Sequence, residues 1–227
     1  MNKKVLTLGS LLTLGTILIG GCGASKTVTP SPNIQATQTA TNKPLIERIR
    51  TDNPKDFATD YLNNYKDLMG LDKSDVTKLL TNPDKYGDIM ISEETAKVAN
   101  LQKIDIKSIT VLEQGADYAL VGAWYNSTYK DLSGVPTYAI VPLGKKDGKW
   151  LLESDFSRYP ASDAKYIEND INKYLNYFLA SKDGTQYKND LQTTNDKYKE
   201  QLTQIQTTVM SDLKDKTDEI QKHKMIF

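Results

Sequence analysis

The sequence predicts an α+β fold in which helices precede a run of four antiparallel strands and helices return at the C-terminal end. Three observations carry this. Apolar residues recur at spacings of three and four over 54–69; four segments rich in β-branched and aromatic residues, separated by turn signals, fill 103–157; and helical spacing resumes after Ser162. Short turns between the strands favour antiparallel neighbours.

The first helix is expected over 54–69. Asp52 or Asn53 can cap it, Pro54 suits its first turn and Gly70 its C′ position. Phe57, Ala58, Tyr61, Leu62, Tyr65, Leu68 and Met69 form its apolar stripe. A shorter helix is expected from Ser74 or Asp75 to Thr81, with Val76, Leu79 and Leu80 inward. A third follows from Glu93 to about Leu101, capped by Ser92.

Strands are expected over 103–114, 117–128, 135–143 and 149–157. In the second, Tyr118, Leu120 and Trp124 share one face while Ala119, Val121, Ala123 and Tyr125 share the other, so both faces are covered. Ser162 then caps a helix over 163–181 whose stripe runs through Tyr166, Ile167, Ile171, Tyr174, Leu175, Phe178 and Leu179, with Asp183 and Gly184 ending it. Residues 185–222 hold no Pro or Gly and continue an apolar seam through Tyr187, Leu191, Tyr198, Leu202, Ile205, Val209, Leu213 and Ile220. One helix of that length would run about 55 Å, longer than a small domain is wide. The expectation is that 163–180 docks on its own domain and the later part projects or lies across a partner.

Composition removes several function classes. One His and one Cys cannot build a Cys/His zinc site, a CxxC pair or an internal disulfide. The balance of 29 Lys+Arg against 29 Asp+Glu lacks the basic excess that a nucleic-acid binder uses to displace counterions. No phosphate-binding glycine loop occurs, so no cofactor is expected. Residues 82–93 match a twelve-residue EF-hand loop at some positions. Asn82, Tyr86 and Met90 stand where ligand oxygens are needed, and the segment reads as a turn between helices with no metal.

The N-terminus reads as an export signal over 1–21: Lys3 and Lys4, then an uncharged Leu/Ile-rich stretch ending in small residues. Ile19-Gly20-Gly21-Cys22 resembles the lipobox of bacterial lipoproteins, which requires an aliphatic residue three positions before a Cys with small residues between. The resemblance implies acylation of Cys22, cleavage before it, and anchoring by acyl chains, palmitate among them, on the extracytoplasmic face of the membrane. Dual acylation gives stable attachment where a single chain does not. Cleavage would remove two Lys and no acid, leaving 27 basic against 29 acidic residues, a net charge of −2. Abundant Lys and Asn with only three Arg suit an AT-rich genome and a Gram-positive host.

From Cys22 to Pro44 the chain is rich in Ser, Thr, Gln and Pro and has little to bury, so it reads as a disordered tether. As a flexible coil it would hold the following domain on the order of 25 Å from the bilayer.

Helices followed by four long strands, with Trp150 opening the last in Asp147-Gly148-Lys149-Trp150, are similar to the nuclear transport factor 2-like superfamily over about 53–157. That resemblance implies a cone in which a curved sheet wraps around N-terminal helices, giving a domain over 45–158 and a helical extension over 159–227. The superfamily holds both enzymes and non-catalytic binding domains. Its enzymes place Asp or His in the cone with Tyr or Asp partners; this chain has no His before His223, so no catalytic residue is assigned. Tyr118, Trp124, Tyr138 and Trp150 could line a pocket at the mouth of the cone, although core packing is the blander account of aromatics at alternating strand positions. The expected function is a membrane-anchored, non-catalytic binding or assembly component of the cell envelope, with a protein partner or self-association, coiled-coil pairing included, through the C-terminal helix. The alternative is a small-molecule binder or isomerase/cyclase-like enzyme using the cone.

Overall fold

The computed structural model describes residues 43–224. It is α+β: helices α1 (Pro54–Asn63), α2 (Tyr65–Leu68), α3 (Lys73–Val76) and α4 (Gly87–Val98); strands β1 (Leu101–Gln114), β2 (Tyr118–Tyr129), β3 (Val135–Lys146) and β4 (Lys149–Leu152); then α5 (Ala161–Ala180), α6 (Lys182–Asp212) and α7 (Thr217–Lys222). The strands form one open antiparallel sheet in the order β1-β2-β3-β4. The signal, the lipobox at Ile19, Gly20, Gly21 and Cys22, and nearly all of the expected tether lie outside the described residues.

Asn53 caps α1, its Oδ1 accepting from the backbone N–H of Lys55 at 2.8 Å and of Asp56 at 3.2 Å, with Pro54 at the first helical position. The single helix expected over 54–69 is interrupted at Asn64. Its amide donates to the Asp60 carbonyl at 2.7 Å and its backbone leaves helical geometry (φ −104°, ψ 6°), the competition with the helix that Asn side chains offer. The apolar stripe still holds: Phe57, Ala58, Tyr61, Leu62, Tyr65 and Leu68 are all buried in one core with Ala119, Val121, Ala123 and Tyr125 of β2.

The next helices differ from expectation. The segment after Asp72 is one α-turn continued by a 3₁₀ turn, Thr77–Leu79, and Leu80 makes a parallel bridge to Leu152 of β4. Helix α4 begins at Gly87, six residues before the expected start, and Ser92 is buried inside it with its hydroxyl donating to the Asp88 carbonyl at 2.9 Å. More than half of the window that resembles an EF-hand loop is therefore helix.

Strand β3 turns into β4 through Asp147 and Gly148, both at positive φ (51° and 78°), as a two-residue hairpin requires. Strand β4 stops at Leu152 instead of continuing to 157, because Thr81 takes over the edge: its N–H donates to Leu152 O at 3.0 Å and its Oγ1 accepts from Ser154 N at 3.1 Å. With β4 so short, residues 135–141 of β3 have no strand neighbour on that side among the described residues.

Helix α6 covers this gap. The chain reverses at Ser181, whose Oγ accepts from Gly184 N at 3.0 Å and so caps α6. Asp183 and Gly184 lie inside that helix and do not end the previous one. Any Cβ at residue 184 would overlap the Phe178 carbonyl, so glycine permits the two helices to meet this closely. Ser162 does not cap α5 either; Pro160 occupies that position and the Ser162 hydroxyl bonds the Asp163 carboxylate. Helix α6 packs on β3, α4 and α5, kinks at Tyr198 (φ −121°, ψ 20°), and sends Leu202 into the main core. Val209, Leu213 and Ile220 then close on Met90, Ile91 and Val98 of α4. The rod of about 55 Å expected from the sequence is a kinked arm folded back on its own domain, and its apolar seam is used within the chain. The arm's far end is fastened to the start of α4: Gly87 N–H donates to the His223 carbonyl at 2.9 Å, and the His223 ring stacks on Tyr86 at 4.3 Å.

Candidate functional site

The sheet separates the four aromatics singled out in the sequence. Tyr118, Trp124 and Tyr138 share the outer face, fixed by the pairings Tyr118↔Gly144 and Trp124↔Tyr138. Trp150 pairs with Lys145, one step out of phase, and is buried in the inner core. The outer rings are met by α5 and α6: Phe178 stacks flat on Tyr138 at 3.5 Å, stands edge-on to Trp124 at 6.1 Å, and touches Tyr187 at 5.7 Å. These rings act as the seat of the C-terminal helices, and the four residues do not line one pocket.

The outer face does gather reactive groups at its other end, where β1 turns into β2 beneath α5. Leu120, Phe156, Ile167 and Ile171 form a small buried cluster there, packed against Leu112, Tyr118 and Tyr174. On its rim, Glu113 accepts from two phenols: Tyr118 donates to Oε1 at 2.5 Å and Tyr174 to Oε2 at 3.1 Å. Asp170, only 5% exposed, accepts from the Lys173 ammonium at 2.7 Å through Oδ1. The Glu113 carboxylate and the Tyr166 phenol lie against Asp170, yet its buried Oδ2 has no partner in hydrogen-bonding geometry. Lys173 also stands 4.7 Å over the Tyr174 ring.

The protonation states follow from this arrangement. Burial opposes ionisation of Asp170, but the Lys173 ammonium, with Glu113 and Tyr166, outweighs it and holds the carboxyl below its ordinary range. Burial and then Glu113 push the Tyr118 and Tyr174 phenols up, and the adjoining Asp170 carboxylate does the same for Tyr166. At neutral pH the site is thus an ionised carboxylate at Asp170 within a ring of neutral phenols.

Glu113 and Asp170 were not anticipated. The available signal was Asp170 itself, a charged residue inside the apolar stripe of α5, three positions after Ile167 and four before Tyr174. No periodicity gives its partner Glu113, because strand register brings β1 under α5.

Two other polar features serve different ends. Glu153, 1% exposed, is fully engaged by Thr81 Oγ1 at 2.5 Å, Asp155 N at 3.0 Å and Tyr159 OH at 2.6 Å, and clamps the end of β4 to the segment after α3. A groove of about 410 Å³ runs between the end of α4, the β2–β3 loop and α6, lined by Lys97, Lys130, Gln201 and Gln204 together with Leu132 and Ile205. Among the described residues no three His, Cys, Asp or Glu side chains are placed to hold a metal ion, and no helix is long and apolar enough to cross a membrane. No family model matches this chain, and no curated protein is detectably similar to it.

Proposed function

We propose that this protein is a lipoprotein anchored through Cys22 to the extracytoplasmic face of the membrane, carrying a nuclear transport factor 2-like α+β domain that acts as a non-catalytic binding component of the envelope. The lipobox supports the anchor. The observation that carries the binding role is the outward stripe of α5, where Tyr166 and Tyr177 are 52% and 63% exposed beside the Glu113–Asp170 cluster. Exposed tyrosines around a partly desolvated polar centre are what recognition surfaces concentrate. The inner face of the sheet, where a cone enzyme would place its chemistry, is occupied by Phe57, Tyr61, Tyr65 and Tyr125.

Two measurements test the parts separately. Palmitate labelling and membrane fractionation should both be lost in Cys22→Ala; a labelled, membrane-bound variant ends the lipoprotein reading. A photo-crosslinking residue at position 177 in the full chain should give a discrete adduct in cells, absent when it is placed at the exposed α6 position 200. Equal adducts at both positions would remove α5 as the binding surface.

A further inference from the structure

We infer that the Glu113–Asp170 cluster is a site for an organic cation, an alkylammonium or guanidinium group, which enters beside Tyr166 and bonds the buried, unpaired oxygen of Asp170. This rests on the binding role proposed above and names the chemistry that α5 recognises.

A buried carboxylate oxygen ordinarily finds a donor, and one left without a partner destabilises the fold. Asp170 Oδ2 is in that condition, while the neighbouring oxygens belong to the Tyr166 phenol and to Glu113, which itself accepts from Tyr118 and Tyr174. Among the described residues Lys173 is the cation bonded to this pair of acidic side chains, and a second cationic donor would supply the hydrogen bond that Oδ2 lacks.

The chain itself shows which kind of cation suits the place. Lys173 bonds Asp170 Oδ1 and lies over the Tyr174 ring, so an alkylammonium on this carboxylate and this aromatic face already exists within the protein. The second oxygen offers the same recognition, with the half-exposed Tyr166 as the wall an incoming group would cross. A hard divalent ion fits less well: it takes six or more oxygens, and the phenols here direct their protons at Glu113.

The cation could come from a free amine or from a Lys or Arg side chain of a protein. The full chain in detergent would be titrated calorimetrically with n-butylammonium and, separately, with a blocked tetrapeptide containing one Lys or one Arg. Saturable binding of at least one probe is expected, weakened at least tenfold in Asp170→Asn and in Glu113→Gln. Binding should be strengthened severalfold in Lys173→Met, which removes the internal competitor; a merely structural role for the cluster would not produce that gain. Butylammonium alone would indicate a small amine, the peptide alone a protein side chain, and both a shared ammonium chemistry. Absence of saturable heat from all probes, in a chain whose circular dichroism is that of a folded protein, overturns the site, as does binding undiminished in both carboxylate variants. Neither failure touches the crosslinking result at residue 177, so the cation site and the binding surface stand or fall separately.

Discussion

On the inner face of the sheet Phe57, Tyr61, Tyr65 and Tyr125 are sealed among aliphatic side chains, whereas above the outer face Tyr166 and Tyr177 stand in solvent and Tyr118 and Tyr174 hold a carboxylate. The same residue type is used in opposite ways. Inside, each ring contributes contact area, and rings pack on one another along α1 and into α2, Phe57 on Tyr61 at 6.0 Å and Tyr61 edge-on to Tyr65 at 5.6 Å. Outside, the hydroxyl is the working atom and the ring is the wall around it. The inner face is filled with side chains, whereas the outer one, where α5 lies over a four-residue cluster, keeps a polar rim.

The largest expected effect tests the inner face. Phe57→Ala should cost about 3–5 kcal/mol in denaturant unfolding, since a fully buried ring leaves a cavity its neighbours cannot fill. Ile167→Ala, in the small outer cluster, should cost less, about 2–3 kcal/mol. Equal losses would mean that α5 is as integral to the fold as α1, and the distinction between a structural and a working face would fail.

Acid titration sharpens the outer half. A carboxyl held below its ordinary value stabilises the fold above that value, and the contribution is lost as pH falls through the folded pKa. For Asp170 the loss should therefore fall below the usual carboxylate range, and the thermal midpoint of Asp170→Asn should show less acid dependence than that of the parent chain. Glu93 has the opposite sign: burial raises its pKa, so its contribution is present at low pH and lost as pH rises through the raised value.

The smallest effect is spectroscopic. Tyr198, at the kink of α6, bonds to Lys197 and Ser133 and is lowered to about 8, while burial raises Tyr61, Tyr65 and Tyr125. One phenolate should appear in the ultraviolet difference spectrum near pH 8 and vanish in Tyr198→Phe, long before the inner tyrosines ionise. Several phenolates at that pH would show the inner face to be open to solvent.

Local pattern made much of this architecture readable. The stripe from Phe57 to Leu68, the cap at Asn53 and the alternation of β2 each follow from residues within a few positions of one another. What was misread depends on distant partners. Tyr86, Gly87 and Asp88 look like a turn until the His223 segment arrives to dock on them, and the seam of α6 looks free until β3 and α4 are in place. Trp150 reads as a companion of three outer aromatics because sequence gives its spacing but not its register against Lys145. The carboxylate pair lay beyond reach for the same reason, since one member comes from a strand and the other from a helix 57 residues later.

The short β4 has a practical consequence for genetics. It leaves the backbone of residues 135–141 to α6, where the Tyr187 phenol meets the backbone of Tyr138. A chain cut after Ser181 would bare that row of amides and carbonyls, a template on which other strands can add. Loss of function in such a truncation would report insolubility rather than a missing interaction, so the arm is best dissected by single substitutions that leave it seated against β3.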